Sequence, residues 1–106
     1  GEETRAFCYI DDAIDQIMAL YRRGEKGEIY HVGIDQEISI RALIENIAKI
    51  LNLEVEIVPG KLQSGSTTRR CPDIGKVRSL GYTGISRFSE GLKKTVEWYK
   101  YEFERV

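Results

Sequence analysis

Apolar residues recur at Ile14, Ile17, Met18 and Tyr21, the i, i+3, i+4, i+7 spacing of an amphipathic helix. Asp12 stands at the N-cap position, where its carboxylate can accept from the free N–H groups of the first turn. Arg22 and Arg23 suit the negative C-terminal end and Gly24 a left-handed stop, so the spacing predicts a helix over residues 12–23. A second helix begins after the cap Ser39 and carries Ile40, Leu43, Ile44, Ile47, Ala48 and Leu51 on one face. Asn52 suits its left-handed terminus. Asp73 caps a short helix with Ile74, Val77 and Leu80, closed by Gly81. Ser86 caps a last helix, with Phe88, Leu92, Val96, Tyr99 and Phe103 inward and Lys93, Lys94, Glu97 and Lys100 largely outward.

Extended structure is predicted in four places, all short. Residues 6–10 form an apolar run, read as a strand or an extended arrival at the first helix. Residues 28–33 are β-prone and end in glycine, and Ile38 is a further short patch. Glu54-Val55-Glu56-Ile57-Val58 alternates charged and apolar, the signature of a half-buried strand, and Pro59-Gly60 stops it. Residues 60–69 are small, polar and aperiodic, a loop long enough to point to function rather than connection. Nothing repeats and no linker divides the chain, so residues 1–106 read as one domain. The fold class is α/β: a small, mostly helical lobe with two or three short strands. That is one layer fewer than most free-standing α/β domains use, so the lobe is expected to lean on something larger. The opening Gly-Glu-Glu-Thr-Arg, without Met, fits either a cleaved tag or a piece of a longer protein.

Composition narrows the function classes. Sixteen Lys plus Arg against seventeen Asp plus Glu give a formal charge of -1, which argues against nucleic acid as partner and against a polybasic membrane anchor. No run approaches the ~20 apolar residues of a bilayer span, and no signal-peptide core opens the chain. The 42% hydrophobic and 31% charged content excludes collagen, coiled coil, disulfide scaffold and disordered tail. Cys8 and Cys71 are far apart and belong to no Cys-x-x-Cys pair, so they read as free thiols in a reducing cytoplasm. With His31 they make no zinc spacing, and His31 reads as a packed, hydrogen-bonded strand residue.

There is no Gly-x-Gly-x-x-Gly, no Walker sequence and no Tyr followed four positions later by Lys: Tyr21 is followed by Glu25, Tyr30 by Ile34 and Tyr99 by Phe103. Ser, His and Asp are too scattered for a triad. The chain therefore contains no catalytic, cofactor or metal residues of its own. Its arginines carry the chemistry instead. Arg69 and Arg70 follow the Ser/Thr-rich loop and precede the helix capped by Asp73. Planar five-donor forks beside hydroxyls and free helix N–H groups suit phosphate oxygens, and Arg5 can converge from another element. The competing reading of a single Arg is a surface ion pair, and that of Asp73 is a cap. The Tyr99 and Phe103 stripe with Trp98 reads as core or docking surface.

Four blocks then bring a family into view. Thr4-Arg5-Ala6-Phe7-Cys8-Tyr9-Ile10-Asp11-Asp12 resembles T-R-x-F-x-Y-V-x-D of extended short-chain dehydrogenases acting on nucleotide sugars. Gly27-Glu28-Ile29-Tyr30-His31-Val32-Gly33 is similar to G-E-x-Y-N-I-G. Arg69-Arg70-Cys71-Pro72-Asp73-Ile74-Gly75-Lys76, continuing to Leu80-Gly81-Tyr82, resembles R-x-P-D-I-S-K followed by L-G-W. Ser89-Glu90-Gly91-Leu92-Lys93-Lys94-Thr95-Val96-Glu97-Trp98-Tyr99 is similar to L-E-E-G-L-x-x-T-x-x-W-Y. His31, Gly75 and Tyr82 depart from the family's Asn, Ser and Trp.

The resemblance implies the C-terminal, substrate-binding subdomain of a Rossmann-type, NAD-dependent epimerase/dehydratase. In such an enzyme a 4-keto sugar forms and is inverted, dehydrated or decarboxylated. It implies that NAD sits on an N-terminal Rossmann domain absent here, so the fragment binds no cofactor and is not catalytic alone. Arg5 and Arg70, and more weakly Arg69, inherit the contacts to the diphosphate of a nucleotide-diphosphate sugar. The implied partner is the chain's own Rossmann domain, with self-association of the fragment in its absence. The alternative is a free-standing, non-catalytic nucleotide-sugar or protein interaction module, which should be a cooperatively folding monomer.

Overall fold

The computed structural model describes residues 1–61 and 63–105. The strands are β1 (Thr4–Arg5), β2 (Ile38–Ser39) and β3 (Arg69–Arg70), and the helices are α1 (Ile10–Arg23), α2 (Ile40–Leu51), α3 (Gly75–Ser79) and α4 (Phe88–Arg105). β1 is the middle strand of the order β2-β1-β3, antiparallel to β2 and parallel to β3. The expected mostly helical lobe is present, and its three strands are each two residues long.

Helix α2 follows its sequence signals closely. Ser39 Oγ accepts from the Ala42 N–H at 3.0 Å, and Asn52 closes the helix in the left-handed region at φ 54°. α2 packs on α4, and β2 runs directly into it. The short α3 begins at Gly75, whose N–H donates to Asp73 Oδ1 at 2.8 Å, and buries Val77. α4 begins at Phe88, whose N–H reaches Ser86 Oγ at 3.3 Å.

Helix α1 departs from expectation in two ways. It starts at Ile10, two residues early, and Tyr9 at the cap position makes no side-chain bond to the first turn. Asp12 is not the cap: it is 1% exposed and takes the Arg87 Nε–H at 2.7 Å and the Arg87 backbone N–H at 2.9 Å. A carboxylate buried there neutralises the guanidinium at the approach to α4, and Asp15 takes the second fork nitrogen at 2.6 Å. The second departure is the face. Ile14, Ile17, Met18 and Tyr21 lie outward, while Asp12, Gln16 and Ala19 are buried. Gln16 offers an amide to a buried backbone, Nε2 donating to Gly33 O at 2.6 Å and Oε1 accepting from Gly33 N–H at 3.0 Å. Gly24 is extended (φ -67°), not left-handed, but a Cβ there would meet Leu20 O at 2.5 Å, so only glycine fits.

The predicted extended segments divide. Ile38 lies in β2, and residues 6–9 form no strand but lead into α1, with Tyr9 extended at φ -67° and ψ 141°, the second of the two readings given for residues 6–10. Residues 28–33 form no strand, and His31 is exposed rather than packed. Residues 54–58 form no strand either, with Val58 77% exposed. Both segments have the pattern of sheet strands, but neither pairs with a strand among the described residues. In α4, Val96 is buried, whereas Tyr99 and Phe103 are exposed along a groove shared with Ile47 and Leu51 of α2, and Trp98 is exposed as well. The buried core comprises Ala19, Ile34, Ala48, Ile74, Val77 and Val96 together with Asp12 and Gln16.

Candidate functional site

Strand alternation decides which arginines meet. In the parallel β1–β3 pair Thr4 is the register partner of Arg69, and Arg5 of Arg70. Successive side chains point to opposite faces, so Arg5 and Arg70 share one face and Thr4 and Arg69 the other. The first face opens on a cleft of about 650 Å³ bordered by Arg5, Phe7, Ile40, Arg70, Cys71 and Pro72.

The two arginines on the cleft differ in freedom. Arg5 is held by backbone, Nη1 donating to Thr4 O at 2.7 Å and Nη2 to Thr67 O at 2.9 Å. Thr4 N–H donates to Thr68 O at 2.9 Å, so the end of the 60–68 loop is fixed against β1. Arg70 is exposed, and among the described residues its side chain has neither a hydrogen bond nor a carboxylate within ion-pair distance. One fork is thus oriented by the fold and its neighbour is unspent. A doubly charged anion in the cleft would meet one guanidinium that already gives N–H groups to two backbone carbonyls and a second whose fork is fully available among the described residues.

Arg69 is engaged on the far face. Its Nε donates to Glu37 Oε1 at 2.7 Å and its Nη2 to Glu37 Oε2 at 2.8 Å, a bidentate pair. Thr4 Oγ1 donates to Glu37 Oε1 at 2.8 Å. Hydrogen bonds from Arg69 and then Thr4 hold the Glu37 carboxyl below the usual carboxylate range, and the same bond raises Arg69. The sequence had placed free helix N–H groups beside the arginines, but the amide of Gly75 is taken by Asp73. Cys71 borders the cleft, its Sγ 3.5 Å from Asp35 O. Cys8 lies elsewhere, and burial, then the charge of Asp12, pushes its thiol up. Both cysteines are free thiols.

Glu37 and Arg87 were missed by sequence reading, since each acts on a partner more than thirty positions away. The Arg-Arg doublet itself held a signal for Glu37. In a strand one member must face away from the other, so a single carboxylate on one face can pair with only one of them.

The blocks quoted from the sequence also meet in space. Gly91 is buried, and a Cβ on it would overlap the Tyr9 ring; Gly33 sits under Pro72, where a Cβ would lie 3.2 Å from Pro72 Cγ. A lobe of this fold has known counterparts. The chain belongs to the extended short-chain dehydrogenase/reductase family, and the relatives that it matches, over their C-terminal part, are NAD-dependent nucleotide-sugar epimerases and dehydratases. It is 30% identical over 110 residues to human dTDP-D-glucose 4,6-dehydratase, an alignment covering 97% of this chain and 31% of that protein. It is also 30% identical over 99 residues to GDP-L-fucose synthase 1 of Arabidopsis thaliana, covering 93% of this chain and 31% of that one. Among solved structures it superposes with a TM-score of 0.84 and 28% identity on a UDP-glucuronic acid 4-epimerase from Bacillus cereus, in complex with UDP-glucuronic acid and NAD. That match covers 95% of this chain and 33% of the epimerase. The chain spans about a third of the length of the relatives it matches. No protein-family model matches it. Among the described residues no helix is long and apolar enough to cross a membrane.

Proposed function

We propose that residues 1–106 are the nucleotide-sugar-binding domain of an NAD-dependent epimerase or dehydratase, with Arg5 and Arg70 holding the diphosphate of the substrate. The observation that carries the reading is the register pairing of Arg5 with Arg70 on one face, beside a cleft, with Arg70 unspent. Arg5 supplies an oriented fork and Arg70 closes on the second phosphate.

The chain's own residues do not fit a dinucleotide. Such a cofactor lies on a strand–glycine turn–helix unit, whose glycines let backbone approach the pyrophosphate. Helices α1, α2 and α4 are instead entered through Cys8-Tyr9, Ile38-Ser39 and Ser86-Arg87. In the proposed enzyme NAD and the hydride chemistry therefore belong to the part of the relatives that this chain does not match. What these residues contribute is to bind and orient the substrate.

Arg70→Ala in the full-length protein is expected to weaken nucleotide-sugar binding by roughly 2 kcal/mol, about thirtyfold, through loss of a charge-assisted pair. Calorimetric titration with UDP-, dTDP- and GDP-sugars checks this. Unchanged affinity for every one of them would refute the assignment. Arg5→Ala should act in the same direction, and the two effects need not add.

A further inference from the structure

The sheet that presents the arginines is three strands of two residues each, so few ladder bonds fix its register. Register matters more here than in most sheets. A slip of one residue turns every side chain of a strand to the opposite face. In β3 such a slip would exchange Arg69 for Arg70 at the cleft, one arginine for an identical one. Nothing in the doublet itself says which member faces the ligand.

We infer that Glu37 is the residue that decides it, a positioning residue that selects Arg70 for the anion by capturing Arg69. This rests on the diphosphate reading above. Glu37 immediately precedes β2, and its carboxylate reaches over the middle strand to the far one. It accepts from Thr4 Oγ1 of β1 and, bidentately, from Arg69 of β3. One side chain therefore clips all three strands on the face away from the cleft. Its geometry is directional: both fork bonds are 2.8 Å or shorter, and the side chain is only 28% exposed. With Glu37 in place, Arg69 is spent and faces away while Arg70 is free. Without it, the two arginines are equivalent candidates for the cleft.

The full-length protein, titrated calorimetrically with UDP, dTDP and GDP, tests this through a double-mutant cycle. Arg70→Ala should weaken binding about tenfold or more in the native background and under about threefold in Glu37→Ala, because Arg69 then substitutes. Arg69→Ala should be nearly silent in the native background and harmful in Glu37→Ala. A surface ion pair contributes little to overall stability, so Glu37→Ala should leave the protein folded and move the unfolding midpoint by no more than about 8 °C.

Should Glu37→Ala not fold, Glu37→Gln takes its place in the cycle, and the exchange Glu37→Arg with Arg69→Glu should restore native affinity. Equal losses from Arg70→Ala in both backgrounds would overturn the role of Glu37 and leave the diphosphate site standing. No loss from Arg70→Ala in the native background would overturn the site, and the role of Glu37 with it.

Discussion

Gln16 is the clearest case of a residue whose placement no periodicity announces. It is fully buried on a helix whose apolar residues face out, and its amide satisfies both backbone groups of Gly33. Gln16→Leu would keep the volume and strand a buried N–H and C=O, so it should destabilise the chain by about 2 kcal/mol or more. Urea unfolding of the variant measures this directly. Gly91→Ala should also be costly, about 1–3 kcal/mol, because the added methyl must displace the Tyr9 ring. The thiol of Cys8 is a chemical counterpart. Its raised pKa means that folding disfavours the thiolate, so at pH 8 Cys8 should alkylate more slowly in the folded chain than in urea. Mass spectrometry of iodoacetamide-treated protein, with and without denaturant, reads the difference.

At the scale of elements, legibility tracked how local the cause was. Helix α2 is capped by Ser39 and ended by Asn52, neighbours of the helix they bound, and both were readable. Ser39→Ala should accordingly cost about 1 kcal/mol, seen as a lowered midpoint in thermal unfolding. Helix α1 was readable as a helix but not in its orientation. The run Ile14, Ile17, Met18 and Tyr21 says which face gains from burial, not whether the partner surface lies in the same chain. Residues 28–33 and 54–58 fail for the same reason: a strand pattern needs an edge to pair with, and neither segment is paired among the described residues. The candidate site was legible in part. Arg5 and Arg70 were named from their types and neighbours, and the register pairing of β1 and β3 brings them together. Glu37 was not, because it enters from beside a third strand, more than thirty positions from Arg69.

For the whole molecule the quantity that matters is surface. The chain exposes 8260 Å², where a compact monomer of 12.1 kDa would expose roughly 6,000 Å², an excess of about 2,200 Å². Its radius of gyration is 16.6 Å against about 13 Å for a compact domain of this length. Much of the excess is apolar, on α1 (Ile10, Ile17, Tyr21) and on α4 (Trp98, Tyr101, Phe103). Standard interfaces bury about 800 Å² per partner, so there is ample area for a covering surface. Produced alone, the chain should therefore self-associate or unfold with low cooperativity. Sedimentation velocity showing a stable monomer would favour the reading as a free-standing module. Replacing Ile17 and Tyr21 by Glu should lower that association without lowering stability, since neither residue is buried.

The join between β1 and β3 also bears on how the molecule reaches its native state. Arg5 and the Thr67 carbonyl it grips are 62 positions apart, whereas α1, α2 and α4 are each built from contacts within a few residues. Closing a loop of that length costs on the order of 4 kcal/mol of chain entropy before any ligand-facing pair exists. Helices should thus form early and the arginine cleft late in refolding. A far-UV signal can then be fully recovered while the proposed anion cleft is still unassembled, and under that proposal binding competence becomes a separate clock for the completion of folding.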